Sequence, residues 1–368
     1  MTLPLRAACS VGAGLLLALA GPAAAGASAA GAWQNGDALN DGPGVAVIGP
    51  APPKVKAESW IVADAETGEV LAGKNAHARL RPASALKTLT AITLLPQLNL
   101  DDPYRVQWED ANAKGSAVGI VPGSRYTIDE LFYGLLLPSG NDAARALASA
   151  AGGLRYTVRA MNNVADSLGA RNTQAVNPTG LDAPGQVSSA FDLAIFARAG
   201  LADRDFRRYV STVSTAFPAQ EPKRDKLRQT YMIYNQNPLL LEGYRGVLGV
   251  KTGYTTQAGR TFVAAVERGG RTLIVSLMDI VEPTDTAARR LFEWGFTHRD
   301  AITAVGSLDE LESAAPPDDD EATTPPPQAA GVAAGAIDDP SSSRAILLWG
   351  LAGAGLLVGG WFLQRSRR

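Results

Sequence analysis

The sequence predicts an α/β protein of the α+β kind: an antiparallel sheet flanked by helices, with an all-helical lobe inserted between its strands. Two pairs of alternating apolar runs predict the sheet. Residues 60–65 and 69–72 are joined by a Thr67-Gly68 turn, and residues 261–267 and 272–279 are joined by Arg268-Gly269-Gly270-Arg271. Between the pairs, from 84 to 198, helical signals dominate. Strands that stop for a run of helices and then resume are what a lobe inserted into a sheet produces.

In order along the chain, the first hairpin gives way at Pro82 to a helix over 84–95. Thr127-Ile128-Asp129-Glu130 is a capping box, in which Thr127 caps and Glu130 bonds back, with 131–137 as the apolar stretch that follows. Residues 142–151 and 154–168 predict two more helices, and 188–198 another with Ser188 or Ser189 as its cap. Strand signals return at 231–234 and 249–252, then in the second hairpin, and a helix over 286–294 closes the order. The sequence contains no internal repeat.

The ends speak to location. Residues 1–29 read as an export signal: Arg6 is the basic start, 11–20 is a leucine-rich apolar run, and Ala27-Ser28-Ala29 fits a cleavage site, with Ala25 as the alternative. An uncleaved N-terminal anchor is the competing reading. Residues 345–363 are nineteen uncharged residues bracketed by Trp349 and Trp361 and followed by Arg365, Arg367 and Arg368. As a helix they would span about 28 Å, close to the roughly 30 Å hydrocarbon core of a bilayer. The basic tail, 364–368, belongs on the cytoplasmic side, so the body of the chain is expected outside. Residues 306–344 carry Pro316-Pro317-Asp318-Asp319-Asp320-Glu321 and Pro325-Pro326-Pro327, which cannot build a packed core and read as a disordered spacer. Residues 57–305 remain as the globular unit, a size within the range of one domain or two fused lobes.

Composition removes several classes of function. The formal net charge of the 368 residues is −2, so there is no electrostatic footprint for nucleic acid. The single cysteine, Cys9, lies before the apolar run, and cleavage would leave no thiol for disulfides, thiolate catalysis or cysteine metal sites. The two histidines, His77 and His298, belong to no H-E-x-x-H pair, and there is no G-x-S-x-G elbow.

Three strings carry chemistry. In Ser84-Ala85-Leu86-Lys87 the spacing puts a hydroxyl and an amine on one helical face, with Cβ atoms about 5–6 Å apart. A serine hydroxyl attacks only when something takes its proton, and a neutral lysine amine does so if burial and a neighbouring cation lower its pKa. Lys251 is the candidate cation, and the helix N-terminus favours charge developing at Ser84. Alone, such a spacing is also what any solvated helix produces. Ser139-Gly140-Asn141 lies between two predicted helices. Asn141 there reads as an N-cap, as a holder of Lys87 and a substrate amide, or as both, and Ser139 as a proton relay to a leaving amine. Lys251-Thr252-Gly253 ends an apolar strand. Its glycine lets a substrate backbone approach as an added strand, and Lys251 and Thr252 are placed to meet a terminal carboxylate. The three occur in an order and on elements that fit one serine acyl-transfer site.

With the strings extended, the sequence resembles the low-molecular-mass penicillin-binding proteins, specifically D-alanyl-D-alanine carboxypeptidases of peptidase family S11 in the serine β-lactamase-like superfamily. The resemblance spans residues 59–296. It rests on Arg81-Pro82-Ala83-Ser84-Ala85-Leu86-Lys87-Thr88, Leu137-Pro138-Ser139-Gly140-Asn141-Asp142-Ala143-Ala144, Asn177-Pro178-Thr179-Gly180-Leu181, Asn235-Gln236-Asn237-Pro238-Leu239-Leu240, Lys251-Thr252-Gly253-Tyr254-Thr255 and Trp294-Gly295-Phe296. It implies a β-lactamase/transpeptidase-like fold with a five-stranded antiparallel sheet. It implies Ser84 as the acylated nucleophile, Lys87 as its base, and Ser139, Asn141 and Lys251 as the rest of the proton network. Thr252, Gly253, Tyr254 and Thr255 would bind substrate, and the backbone N–H groups of Ser84 and Tyr254 would form the oxyanion hole. The implied partners are peptidoglycan stem peptides ending in D-Ala-D-Ala, β-lactams as covalent inhibitors, and the cytoplasmic membrane through the C-terminal helix; no metal or cofactor is implied. Tyr254 stands where relatives often carry histidine. After the last strand, Met278-Asp279-Ile280-Val281-Glu282-Pro283 lacks the arginine that relatives use to hold the substrate carboxylate. A serine β-lactamase would share the strings, but class A members draw a deacylating glutamate from a dedicated loop, and 177–181 offers none. A surface protein that binds peptidoglycan without cutting it is the other alternative.

Overall fold

The computed structural model describes residues 44–223 and 226–309. The expected export signal, all of the spacer beyond residue 309, the apolar span 345–363 and the basic tail lie outside the described residues. Among the described residues no helix is long and apolar enough to cross a membrane.

The chain enters as a short strand β1 (Val45–Val47) and forms the hairpin of β2 (Ala57–Asp64) and β3 (Glu69–Lys74). It leaves the sheet through a 3-10 turn, Ala83–Leu86, that continues into α1 (Lys87–Leu94). The lobe follows, with β4 (Pro103–Arg105), α2 (Trp108–Ala111), β5 (Arg125–Thr127), α3 (Ile128–Leu136), α4 (Asn141–Ala150), α5 (Leu154–Ser167), α6 (Ala190–Ala202) and α7 (Arg204–Ser211). A second small hairpin, β6 (Ser214–Pro218) and β7 (Thr230–Tyr234), leads through α8 (Pro238–Leu241) back to the sheet. The sheet is completed by β8 (Val247–Thr255), β9 (Gly259–Arg268) and β10 (Arg271–Ile280), and the described chain ends with α9 (Thr284–His298) and β11 (Gly306–Ser307).

All pairings in the main sheet are antiparallel, in the order β1-β3-β2-β10-β9-β8. The five long strands are those the sequence predicts. Two short ones raise the total to seven: β1 pairs with Ala72–Lys74 and β11 with Glu69–Val70, both on the outer edge of β3. β8 forms the opposite edge. β9 and β10 meet at Gly269-Gly270, whose φ angles of 59° and 76° are those a two-residue hairpin turn needs and glycine adopts without strain.

Both faces of the sheet are covered, which explains why its strands read as nearly continuous apolar runs. Phe262, Ala264, Val266, Leu273, Val275 and Leu277 pack with Leu291 and Phe292 of α9. The alternate residues Val263, Ala265 and Ile274 join the core of the lobe with Leu193 and Phe196 of α6. Each fully buried large apolar side chain contributes about 1.5–3 kcal/mol. The capping box forms as predicted: Glu130 N donates to Thr127 Oγ1 at 3.1 Å and Thr127 N to Glu130 Oε2 at 2.8 Å. Ser189, rather than Ser188, caps α6 by accepting from Asp192 N at 3.0 Å. The predicted strand at 231–234 pairs with Ser214–Pro218 and stands apart from the main sheet.

Candidate active site

Ser84 is the second residue of the 3-10 turn that opens the helix, just after Ala83, which takes a φ of 47°. Lys87 is the first residue of α1 and is fully buried. Its Nζ lies 3.0 Å from Ser84 Oγ and donates to Asn141 Oδ1 at 2.6 Å and to the Thr179 carbonyl at 2.6 Å. Burial pushes the Lys87 pKa well below its ordinary value, and the Lys251 ammonium pushes the same way; only Asp142 opposes them. A neutral amine has two N–H groups and one lone pair. With both N–H groups given to carbonyl oxygens, the lone pair is left for the serine hydroxyl.

The turn between α3 and α4 supplies the second group. Ser139 adopts a φ of 65°, and its Oγ is buried with no hydrogen-bond partner among the described residues. Asn141 is the first residue of α4, and the N-cap is Gly140 without a side-chain bond, so the capping reading of Asn141 is replaced by another. Its side chain accepts from Lys87 and donates to the Lys114 carbonyl at 2.7 Å. The next residue, Asp142, is buried and accepts from the N–H groups of Val118, Gly119 and Ile120 at 2.9, 2.7 and 3.2 Å. It thereby fixes the 114–120 segment that carries Ser116 to the cleft.

The third contact of Lys87 comes from a segment that motif reading left without a role. Asn177 Oδ1 accepts from the Thr179 N–H at 3.1 Å, the Thr179 hydroxyl at 2.7 Å and the Gly180 N–H at 3.0 Å, while its Nδ2 donates to the Leu181 carbonyl at 2.9 Å. These bonds hold the Thr179 carbonyl against the amine. Gly180 has a φ of 83°, and a Cβ there would sit 1.9 Å from the Ala83 carbonyl oxygen. The loop reaches the turn that carries Ser84 only because that residue is glycine. The sole sequence signal was the five-residue string itself.

β8 forms the other wall. Lys251 is buried, donates to the Thr252 carbonyl at 2.8 Å, and has its pKa pushed down to about 7 by burial. The glycine of the string serves a closer neighbour than substrate: a Cβ on Gly253 would lie 2.7 Å from Ser84 N and 2.8 Å from Ala85 N. Ser84, Ser116, Ser139, Gln236, Thr252, Gly253, Tyr254, Arg260, Thr261 and Thr284 line a cleft of about 350 Å³. Thr255 is not part of that lining; its hydroxyl donates to Asp182 Oδ1 at 3.0 Å and accepts from Ala258 N at 2.9 Å, which closes the β8–β9 turn.

A larger cavity of about 660 Å³ lies beside α6, but its lining holds no serine, cysteine or lysine, and its Arg198 is paired with Asp309 at 2.6 Å. His77 stacks on Phe191 with ring centroids 4.3 Å apart, and neither histidine lines the Ser84 cleft. No cluster of potential metal ligands occurs among the described residues.

A family profile described as D-alanyl-D-alanine carboxypeptidase, peptidase S11, matches residues 46–281. The D-alanyl-D-alanine carboxypeptidase DacB2 of Mycobacterium tuberculosis is 42% identical over 264 residues, which cover 70% of this chain and 87% of that protein. The crystal structure of a D-alanyl-D-alanine carboxypeptidase from M. tuberculosis H37Rv superposes with a TM-score of 0.65 at 40% identity, over 70% of this chain and 97% of the other. The Streptomyces K15 DD-transpeptidase does so with a TM-score of 0.64 at 29% identity, over 67% and 100%. The sheet, the inserted lobe and the cleft between them are thus the β-lactamase/transpeptidase-like fold, and the chain belongs to the D-alanyl-D-alanine carboxypeptidases of peptidase family S11.

Proposed function

We propose that this serine-type D-alanyl-D-alanine carboxypeptidase works through an acyl-enzyme on Ser84, with Lys87 as the base. The observation that carries this reading is the environment of Lys87 Nζ: two carbonyl acceptors and one serine hydroxyl within 3.0 Å, around an amine whose pKa burial holds down. Ser84 Oγ attacks the carbonyl of the penultimate D-alanine and passes its proton to Lys87 Nζ. The tetrahedral oxyanion is met by the N–H groups of Ser84 and Tyr254. As the C–N bond breaks, the proton reaches the departing amine of the terminal D-alanine through Ser139 Oγ, the buried hydroxyl left unpartnered at the cleft. Water then attacks the ester, with Lys87 again taking the proton, and Ser84 is restored. Asn141 keeps Lys87 aimed, and Lys251 keeps it neutral.

The substrate is a peptidoglycan stem pentapeptide ending in D-Ala-D-Ala, laid along the unpaired edge of β8. A β-lactam follows the first step, and its tethered leaving group keeps the ester closed to water. The body of the chain is assigned to the outer face of the cytoplasmic membrane, anchored by residues 345–363; membrane fractionation of the full chain against one truncated after residue 309 tests that assignment. For the chemistry, the parent releases D-alanine from the pentapeptide and gains one labelled-penicillin adduct by intact mass, and Ser84→Ala does neither. An adduct on both proteins would move the nucleophile elsewhere.

A further inference from the structure

We propose that Arg260, on β9, is the residue that selects for the substrate's free terminal carboxylate. This rests on the reading of Ser84 as a nucleophile acting on a D-Ala-D-Ala end. Such a substrate brings a carboxylate into the cleft, and Arg260 is the one charged side chain in its lining among the described residues.

Three features set this arginine apart. First, it carries no ion pair or hydrogen bond among the described residues, whereas Arg268, Arg271, Arg289 and Arg290, on the same strands and on α9, are paired with Glu293, Asp300, Glu242 and Glu282. Its guanidinium is open to an incoming anion and offers the forked donors a carboxylate accepts. Second, the strand register places it. Arg260 lies opposite Tyr254, and Phe262 lies opposite Thr252. The two-residue alternation of strands therefore puts Thr252, Tyr254 and Arg260 on the face toward α9, with Lys251 and Gly253 on the face toward Ser84, and the cleft draws its lining from both faces at the β8 edge. Thr252 and Arg260 are diagonal neighbours, about 7–8 Å apart at the backbone and within reach of a long side chain. Third, the other candidates are engaged. Lys251 is buried and gives its ammonium to the Thr252 carbonyl. The segment after β10 supplies no cation, and its Glu282 accepts from Arg290 at 2.5 Å and from Lys56 N at 2.6 Å. Thr284, the first residue of α9, also borders the cleft, and that helix begins without a side-chain cap, so its N-terminal field adds to the attraction for an anion.

The test compares two peptides on the full chain in detergent: an acyl-D-Ala-D-Ala with a free terminal carboxylate and the same peptide with a terminal carboxamide. The parent prefers the acid. Arg260→Gln loses ~10–100-fold in kcat/KM on the acid, mostly through KM, with little change on the amide, so the preference collapses; Arg260→Lys falls between. The side chain is exposed, and an unchanged thermal midpoint checks the fold of each variant. If the parent cleaves and Arg260→Gln keeps the full preference for the acid, the proposal is overturned. If the folded parent releases neither D-alanine from the acid nor D-alaninamide from the amide, the assignment of the Ser84 site fails, and the proposal fails with it.

Discussion

The two walls of the cleft are built on opposite plans. On the lobe side, the side chains of Lys87, Asn141, Asp142 and Asn177 are each held by several hydrogen bonds, many of them to backbone groups. On the sheet side, Tyr254 is 64% exposed, and Arg260 is also exposed and unpaired among the described residues. In the proposed mechanism the lobe wall is preorganised for moving protons and reorganises little as charge develops. On the sheet wall Tyr254 and Arg260, unlike the buried Lys251, leave their donors to the substrate. Changes on the first wall should therefore appear in kcat, and changes on the second in KM.

The largest expected effect is on the lobe side. Lys87→Met removes the proposed base and should lower acylation by about 10²–10⁴-fold. It should leave KM for the pentapeptide near the parent value and the fold intact, because an apolar chain replaces a buried amine. Steady-state kinetics and a melting curve check both; a large rise in KM would break the division of labour. Gly180→Ala comes next. The clash with the Ala83 carbonyl and the positive φ should cost about 1–3 kcal/mol of stability. Displacing the Thr179 carbonyl should also lower kcat well beyond what reduced stability explains. On the sheet side, Thr252→Val removes one half-buried hydroxyl of the cleft and should raise KM about 5–10-fold with kcat nearly unchanged.

The smallest effect sharpens the electrostatics. Lys251 has a folded pKa of about 7 against an ordinary value of 10.5. Between those values the unfolded chain binds more protons than the folded one, so stability rises with pH across that window. Below pH 7 both states are protonated and the penalty is at its full value. Lys251→Met should remove this residue's share of the slope, which cannot exceed about 1.4 kcal/mol per pH unit. Denaturant midpoints at pH 6.5, 8 and 9.5 would read it. Lys87 is shifted in the same direction and leaves a residual slope in the variant.

Much of this was legible in the sequence, for physical reasons that also mark where legibility ends. The hairpins of the main sheet announce themselves by period-two apolarity and glycine turns, and α3 by its capping box. The strand at 231–234 was legible, but its partner β6 is short and ends in Pro218, so it does not carry the pattern of a buried strand. α7 buries Phe206, Tyr209 and Val210 at helical spacing, but at eight residues it is too short for that stripe to stand out in the sequence. In the cleft, side-chain spacing suggested Ser84 with Lys87. The third partner of the amine is a backbone carbonyl, which every residue possesses and no motif can mark. The glycines were legible as glycines, but their reason was not: Gly253 and Gly180 make room for the chain's own backbone at Ser84. Asn141 looked like a cap because its type and position suit one, and only the docking of 114–120 and α1 shows where its amide goes.

The lowered basicity of Lys87 has a consequence for timing. Desolvation and the charge of Lys251, 164 positions further along, create it, and both exist only once lobe and sheet have closed on each other. Before it folds, the chain carries an ordinary protonated lysine beside an ordinary serine. The depressed basicity of that amine is therefore acquired together with the tertiary structure and lost with it.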